Sequence, residues 1–202
     1  SLIRGKMKAF DKNFFLRLAL LPFLAFLASG ANRATSLPAL PRPDQVDKPE
    51  MIRFIRPDPA VLPGVVVDDV NATLVGAWKH SVHTPPFVGK SYLHDMKEKK
   101  GEKSATFTPD LPRAGRYEVR MSHNSNVRRA NGAPVTIRHA DGVTVVKVDE
   151  GEQAPIEKLF RPLGVYRFEK GKAGSVTIGT AGTEGKYVIV DAVQFIPVKA
   201  KE

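Results

Sequence analysis

Residues 111–142, LPRAGRYEVRMSHNSNVRRANGAPVTIRHADG, decide the fold. Pro112-Arg113-Ala114-Gly115 reads as a tight turn, with glycine where the chain bends back. In the strand that follows, Tyr117, Val119 and Met121 face one way and Arg116, Glu118 and Arg120 the other. That strict alternation is the period of a sheet with one buried and one wet side. A polar loop over 122–132 then holds His123, Asn124, Asn126, Arg128, Arg129 and Asn131. Val135–His139 resumes a strand, Asp141-Gly142 is a favoured two-residue hairpin turn, and VTVVKV over 143–148 returns alongside. An antiparallel scaffold displaying one long loop of amides and guanidinium groups describes a recognition surface better than a catalytic centre.

The rest of the sequence is of the same kind. From residue 64 onward, strands are expected at 65–69, 77–82 (centred on Trp78, the single tryptophan), 91–95, 104–108, 160–168, 175–178 and 187–196. With the hairpin, nine or ten short strands separated by glycine and proline make an all-β chain, and a jelly-roll antiparallel β-sandwich fits their spacing best. Ahead of it, seven of the 16 prolines fall within 32–63, a density that blocks regular ladders and reads as a linker. Only 51–55, MIRFI, offers a short strand there. Residues 1–31 combine a basic flank (Lys8, Lys12, Arg17), the apolar run LALLPFLAFLA over 18–28 and small residues at 28–31, the three parts of a signal peptide. Eleven apolar residues fall short of the about 20 a membrane span needs, so cleavage is expected, with an uncleaved N-terminal anchor as the alternative. The expected domains are therefore a signal or anchor at 1–31, a linker at 32–63 and the β-sandwich at 64–198.

Composition narrows the chemistry. The 202 residues hold no cysteine, which excludes disulfides, thiolate metal sites and a cysteine nucleophile within them. Of the net charge of +10, the first 31 residues supply five basic side chains against one aspartate, and the remainder is scattered. The phosphate-cradling, dinucleotide, H-E-x-x-H and G-x-S-x-G patterns are all missing, so no enzymatic role is expected. His80 and His83 stand three apart, which on a strand points them to opposite faces and argues against a zinc pair.

The order of short segments resembles the golvesin-type domain, also described as similar to the carbohydrate-binding domain of xanthan lyase. The run comprises Val67-Asp68-Asp69, Gly76-Ala77-Trp78, GKSYLHD over 89–95, ATFTP over 105–109 with Leu111-Pro112, AGRYEV over 114–119, PVTI over 134–137 with Asp141-Gly142, Leu163-Gly164 and VDAVQF over 190–195. The resemblance covers about 65–198 and implies a β-sandwich accessory module of secreted bacterial proteins, fused to lyases, other hydrolases or proteins labelled FAD-dependent oxidoreductases. It implies an exported, periplasmic or cell-surface location.

Sugar binding needs an aromatic face for a pyranose and amides, guanidinium groups or carboxylates for its hydroxyls. Trp78, His80, Tyr92, His123, Asn124, Asn126, Arg128, Arg129 and Asn131 are the candidate set. If the polysaccharide is acidic, Arg128 and Arg129 are placed to meet its carboxylates. Asp68, Asp69 and Asp191 are expected to converge if the first and last strands pair, as a structural Ca²⁺ site or as caps for strand-end N–H groups. No other cofactor is expected. The function these features indicate is a non-catalytic module that binds polysaccharide or a cell-surface glycan. Its alternatives are a structural or adhesive module with a protein partner, or the detached C-terminal module of a larger secreted lyase or oxidoreductase. Nucleic acid is not an expected partner, and a membrane only through an uncleaved N-terminal segment.

Overall fold

The computed structural model describes residues 56–199. The segment 1–31, the strand expected at 51–55 and most of the linker lie outside those residues. The strands are β1 Val65–Asp68, β2 Thr73–Val75, β3 Lys79–Ser81, β4 Tyr92–His94, β5 Ser104–Phe107 and β6 Gly115–Ser122. After them come β7 Ala133–His139, β8 Gly142–Val148, β9 Phe160–Phe168, β10 Ser175–Gly179, β11 Ile189–Val190 and β12 Ala192–Pro197. Every pairing between them is antiparallel. They build a four-stranded sheet in the order β1-β12-β6-β9, a five-stranded sheet β2-β5-β10-β7-β8 and a small sheet β11-β4-β3.

One apolar cluster draws on both large sheets. Tyr117, Val119, Met121, Phe168, Val193 and Phe195 come from the first, and Ala105, Phe107, Val135, Ile137, Val176 and Ile178 from the second. The two sheets are thus stacked face to face as a jelly-roll-like β-sandwich. Each buried aromatic contributes about 1.5–3 kcal/mol through area removed from water. Tyr117, Phe168 and Phe195 also meet edge to face at centroid distances of 6.1 and 5.5 Å, worth about 0.5–1.5 kcal/mol more per pair. The alternation read from 117–121 is the one observed: Tyr117, Val119 and Met121 point inward.

Three expectations change. β6 and β7 were to form one scaffold around the polar loop, but they lie in different sheets, and 123–132 crosses from one to the other. The hairpin turn sits one residue earlier, since His139 pairs with Gly142 and Ala140-Asp141 makes the bend. The single strand expected at 187–196 is two, β11 and β12, which serve different sheets on either side of Asp191. The chain there is buried on both sides from Val188 to Phe195, so alternation carries no facing information. The Leu163-Gly164 step is a bulge: Val119 pairs with Gly164 and Arg120 with Pro162, leaving Leu163 as the extra residue.

Loops cover part of the outer face of the four-stranded sheet. Val88, Leu159, Phe160 and Ala192 form a second apolar cluster there, with Leu62, Val66 and Ile156 against it. Among the described residues no helix is long and apolar enough to cross a membrane.

A polar loop cluster as the candidate functional site

The crossing loop is pinned by its own backbone and by the segment ahead of β11. Asn126 accepts the Arg128 N–H on its side chain at 3.0 Å and the Arg129 N–H on its carbonyl at 2.9 Å. Tyr187 N–H donates to Arg128 O at 2.9 Å, and Ala130 N–H donates to Tyr187 O at 2.8 Å. These contacts fix which side chains turn inward. His123, Asn124 and Arg129 are buried, while Asn126, Arg128 and Asn131 face solvent.

Arg129 is the centre of the inward group. Its guanidinium carbon lies 5.9 Å from the Tyr92 ring and 5.7 Å from the Tyr187 ring. Its Nη2 donates to Asn124 Oδ1 at 2.8 Å and to Thr84 Oγ1 at 3.4 Å. Arg129 Nε and Asn124 Nδ2, both buried, have no partner among the described residues. Glu150, fully buried beside them, accepts the Ile189 N–H at 2.8 Å through Oε2 and leaves Oε1 unused. Burial pushes its carboxyl well above the usual range, against the pull of the Ile189 N–H and Arg129. His123 accepts from Arg161 Nε at 3.3 Å. Burial, then the Arg161 charge, lowers its pKa to about 4, so it is neutral near pH 7.

At the rim of this group stands Tyr187, half-buried, with His94 edge-on at 5.2 Å and Lys97 Nζ 4.6 Å from the ring centroid. Tyr187, Lys97, Thr84 and Glu150 are not among the residues expected there. They come from four separate segments: the antiparallel pairing of β11 with β4 brings Tyr187 to Lys97, and hydrogen bonds from Arg129 and Ile189 bring in Thr84 and Glu150.

Of the other candidates, only Tyr92 borders this group, through its ring. Tyr92 is buried, tilted against Phe87 at 5.6 Å, with its hydroxyl accepting from Ser81 Oγ at 3.0 Å. Trp78 is half-buried against the main core and donates Nε1–H to Val75 O at 3.0 Å. His80 is exposed, 3.1 Å from Ser91 Oγ and 3.8 Å from Asp69 Oδ2.

The three aspartates do converge, because β1 pairs with β12 and places Asp68 opposite Ala192. Asp191 accepts the Val88 N–H at 3.1 and 3.2 Å on its two oxygens and the Ser122 hydroxyl. A Cβ on Gly89 would lie 2.6 Å from Asp68 Oδ2, and its φ of +67° favours glycine, so the 85–91 loop closes over the carboxylates only with glycine there. Asp68 Oδ1 and Asp69 Oδ1 are buried without partners among the described residues. Burial raises Asp68 to about 6. Burial and the neighbouring Asp68 charge raise Asp69 to about 7, and burial raises Asp191 well above the usual range. Among the described residues no three His, Asp or Glu side chains are arranged to hold a metal ion.

Fold and site together define a β-sandwich module whose polar chemistry is concentrated in the loops that join its sheets. The chain belongs to the golvesin C-terminal domain family, whose model matches residues 65–197. It is 37% identical over 149 residues to a xanthan lyase of Bacillus sp. (strain GL1), covering 71% of this chain and 16% of that protein. The solved Paenibacillus xanthan lyase superposes with a TM-score of 0.63 at 34% identity, over 67% of this chain and 13% of the lyase. A GH26-CBM35 β-(1,4)-mannanase of Podospora anserina shares the fold with a TM-score of 0.52 at 15% identity, over 70% of this chain and 29% of that one. The chain thus spans about a sixth or less of the length of the lyases it matches.

Proposed function

We propose that this chain is a non-catalytic accessory module that binds polysaccharide, exported and working beside a polysaccharide-degrading enzyme. One observation carries the reading: at more than a third identity, the domain recurs as a small part of a xanthan lyase, as an appended module would. The loop cluster supports it chemically, since amide and guanidinium donors beside tyrosine rings are what sugar hydroxyls and pyranose faces require. The contacts proposed are the rim of that cluster and the exposed Asn126, Arg128 and Asn131.

The test is retention of the full chain on immobilised neutral and acidic polysaccharides, with Arg128→Ala beside the wild type. Retention by at least one polymer is expected. No retention by any would overturn the reading and favour the adhesive alternative, for which β8 offers the surface: Val143 and Val145 on this edge strand are 53% and 61% exposed.

A further inference from the structure

We propose that the loop cluster is a subsite for a sugar carboxylate, with Arg129 as the residue that selects it. The inference rests on the polysaccharide-binding reading and names the class of sugar.

Arg129 is only 7% exposed, yet among the described residues no carboxylate lies within ion-pair distance of it. A guanidinium keeps its proton at every accessible pH, so burial cannot neutralise it as it can a carboxyl. A buried charge without a counter-charge is costly. Its two oxygen partners, on Asn124 and Thr84, are both neutral. Glu150 does not fill the gap: it makes no ion pair with Arg129 among the described residues, and its Oε2 is taken by the Ile189 N–H.

The unused atoms agree in kind. Arg129 Nε and Asn124 Nδ2 are both donors, on adjoining side chains, and both lack acceptors among the described residues. A ligand that completes them brings acceptor oxygens, and a carboxylate also brings the missing charge. Nε–H is one of the parallel donors through which arginine grips a carboxylate in a two-point fork. Tyr187 supplies a ring face next to the guanidinium, and Lys97 places a further cation at that ring. The Thr84 contact is the longest that Arg129 makes, at 3.4 Å, and Thr84 stands in a loop whose Val82, His83 and Pro85 are exposed. A sugar carboxylate enters past Thr84 and takes its place.

The experiment measures binding of the full chain, by calorimetry, to polymers of glucuronic, galacturonic and mannuronic acid and to the same polymers after carboxyl reduction. At least one acidic polymer should bind about tenfold or more tightly than its reduced form, the scale of one charged hydrogen bond. Arg129→Lys should erase that preference, and Lys97→Ala should weaken it. Should Arg129→Lys fail to fold, the Nε–H resonance of Arg129 in the wild type reads the contact directly and should shift on adding the free uronic acid. Equal affinity for acidic and reduced polymers overturns this inference and leaves the polysaccharide reading standing. Binding to none of the six removes that reading as well. A preference for acid with an unmoved Arg129 resonance overturns the site, and an equal shift with inorganic phosphate overturns the carboxylate selectivity.

Discussion

At the end of β6, Ser122 donates to Asp191 while Asn124, two residues on, accepts from Arg129. Two buried clusters of opposite sign thus hang from neighbouring side chains, and they meet the cost of burial differently. The carboxyls of Asp68, Asp69 and Asp191 can answer burial by holding a proton to higher pH, and burial raises all three. Arg129 has no such route, because a guanidinium does not give up its proton. The first cluster therefore answers to pH, and the second to whatever brings it an oxygen anion. Equal burial of opposite charges yields a stability device in one place and an unsatisfied receptor in the other.

The harshest way to break the comparison is Asp191→Ala. It leaves the Val88 N–H and the Ser122 hydroxyl without their acceptor inside the fold, and about 2–5 kcal/mol of stability should be lost in urea unfolding. Asp191→Asn keeps an acceptor oxygen for those two donors and should cost less, about 1 kcal/mol. If the alanine variant is as stable as the asparagine one, the hydrogen-bonding role of Asp191 is wrong.

A smaller effect sharpens the proton argument. Asp68 and Asp69 titrate at about 6 and about 7 when folded, against 3.8 ordinarily. The folded chain therefore holds protons that the unfolded chain has released. Stability from these groups is fullest below about pH 4, falls as pH rises to about 7 and is level beyond. The fall is on the order of 2 kcal/mol for the pair after discounting for solvent screening. His123, lowered from 6.5 to about 4, acts in the opposite sense, gaining stability as pH rises between those values. The raised carboxylates outnumber it, so the melting temperature should be higher at pH 5 than at pH 8. Asp68→Asn/Asp69→Asn should shrink that difference and raise the melting temperature at pH 8. A double variant with the wild-type pH profile would show that burial of these two carboxylates is not its source.

The smallest effect concerns the second cluster's outer edge. Arg128 is exposed and held only through its backbone, so Arg128→Ala should change thermal stability by about 0.5 kcal/mol or less. A larger loss would mean that the exposed arginine, like its buried neighbour, is part of the packing.

Where one face of a strand is wet, its side chains announced it. Tyr117, Val119 and Met121 alternate with Arg116, Glu118 and Arg120, and that local period fixed β6 and its inward face before any partner was known. The same logic failed over 187–196, where both sides are buried and an unbroken apolar run hides the change of sheet at Asp191. It also missed β2, three exposed residues held only by their pairing with β5. The candidate site divides along the same line. That the loop 122–132 is rich in amides and arginines is written in the chain. That Arg129 turns inward while Arg128 turns out, and that Tyr187, Lys97, Thr84 and Glu150 join it, follows from contacts between distant segments, such as the hydrogen bond from Lys186 Nζ to Val127 O and the stacking of Lys97 on the Tyr187 ring. Sequence by itself determined the all-β class, the strands with one wet face, the family and the stock of polar groups, because these depend on local period and residue type. Only the tertiary structure decided which charges were buried and which were left without a counter-charge, because burial and pairing belong to contacts between distant segments.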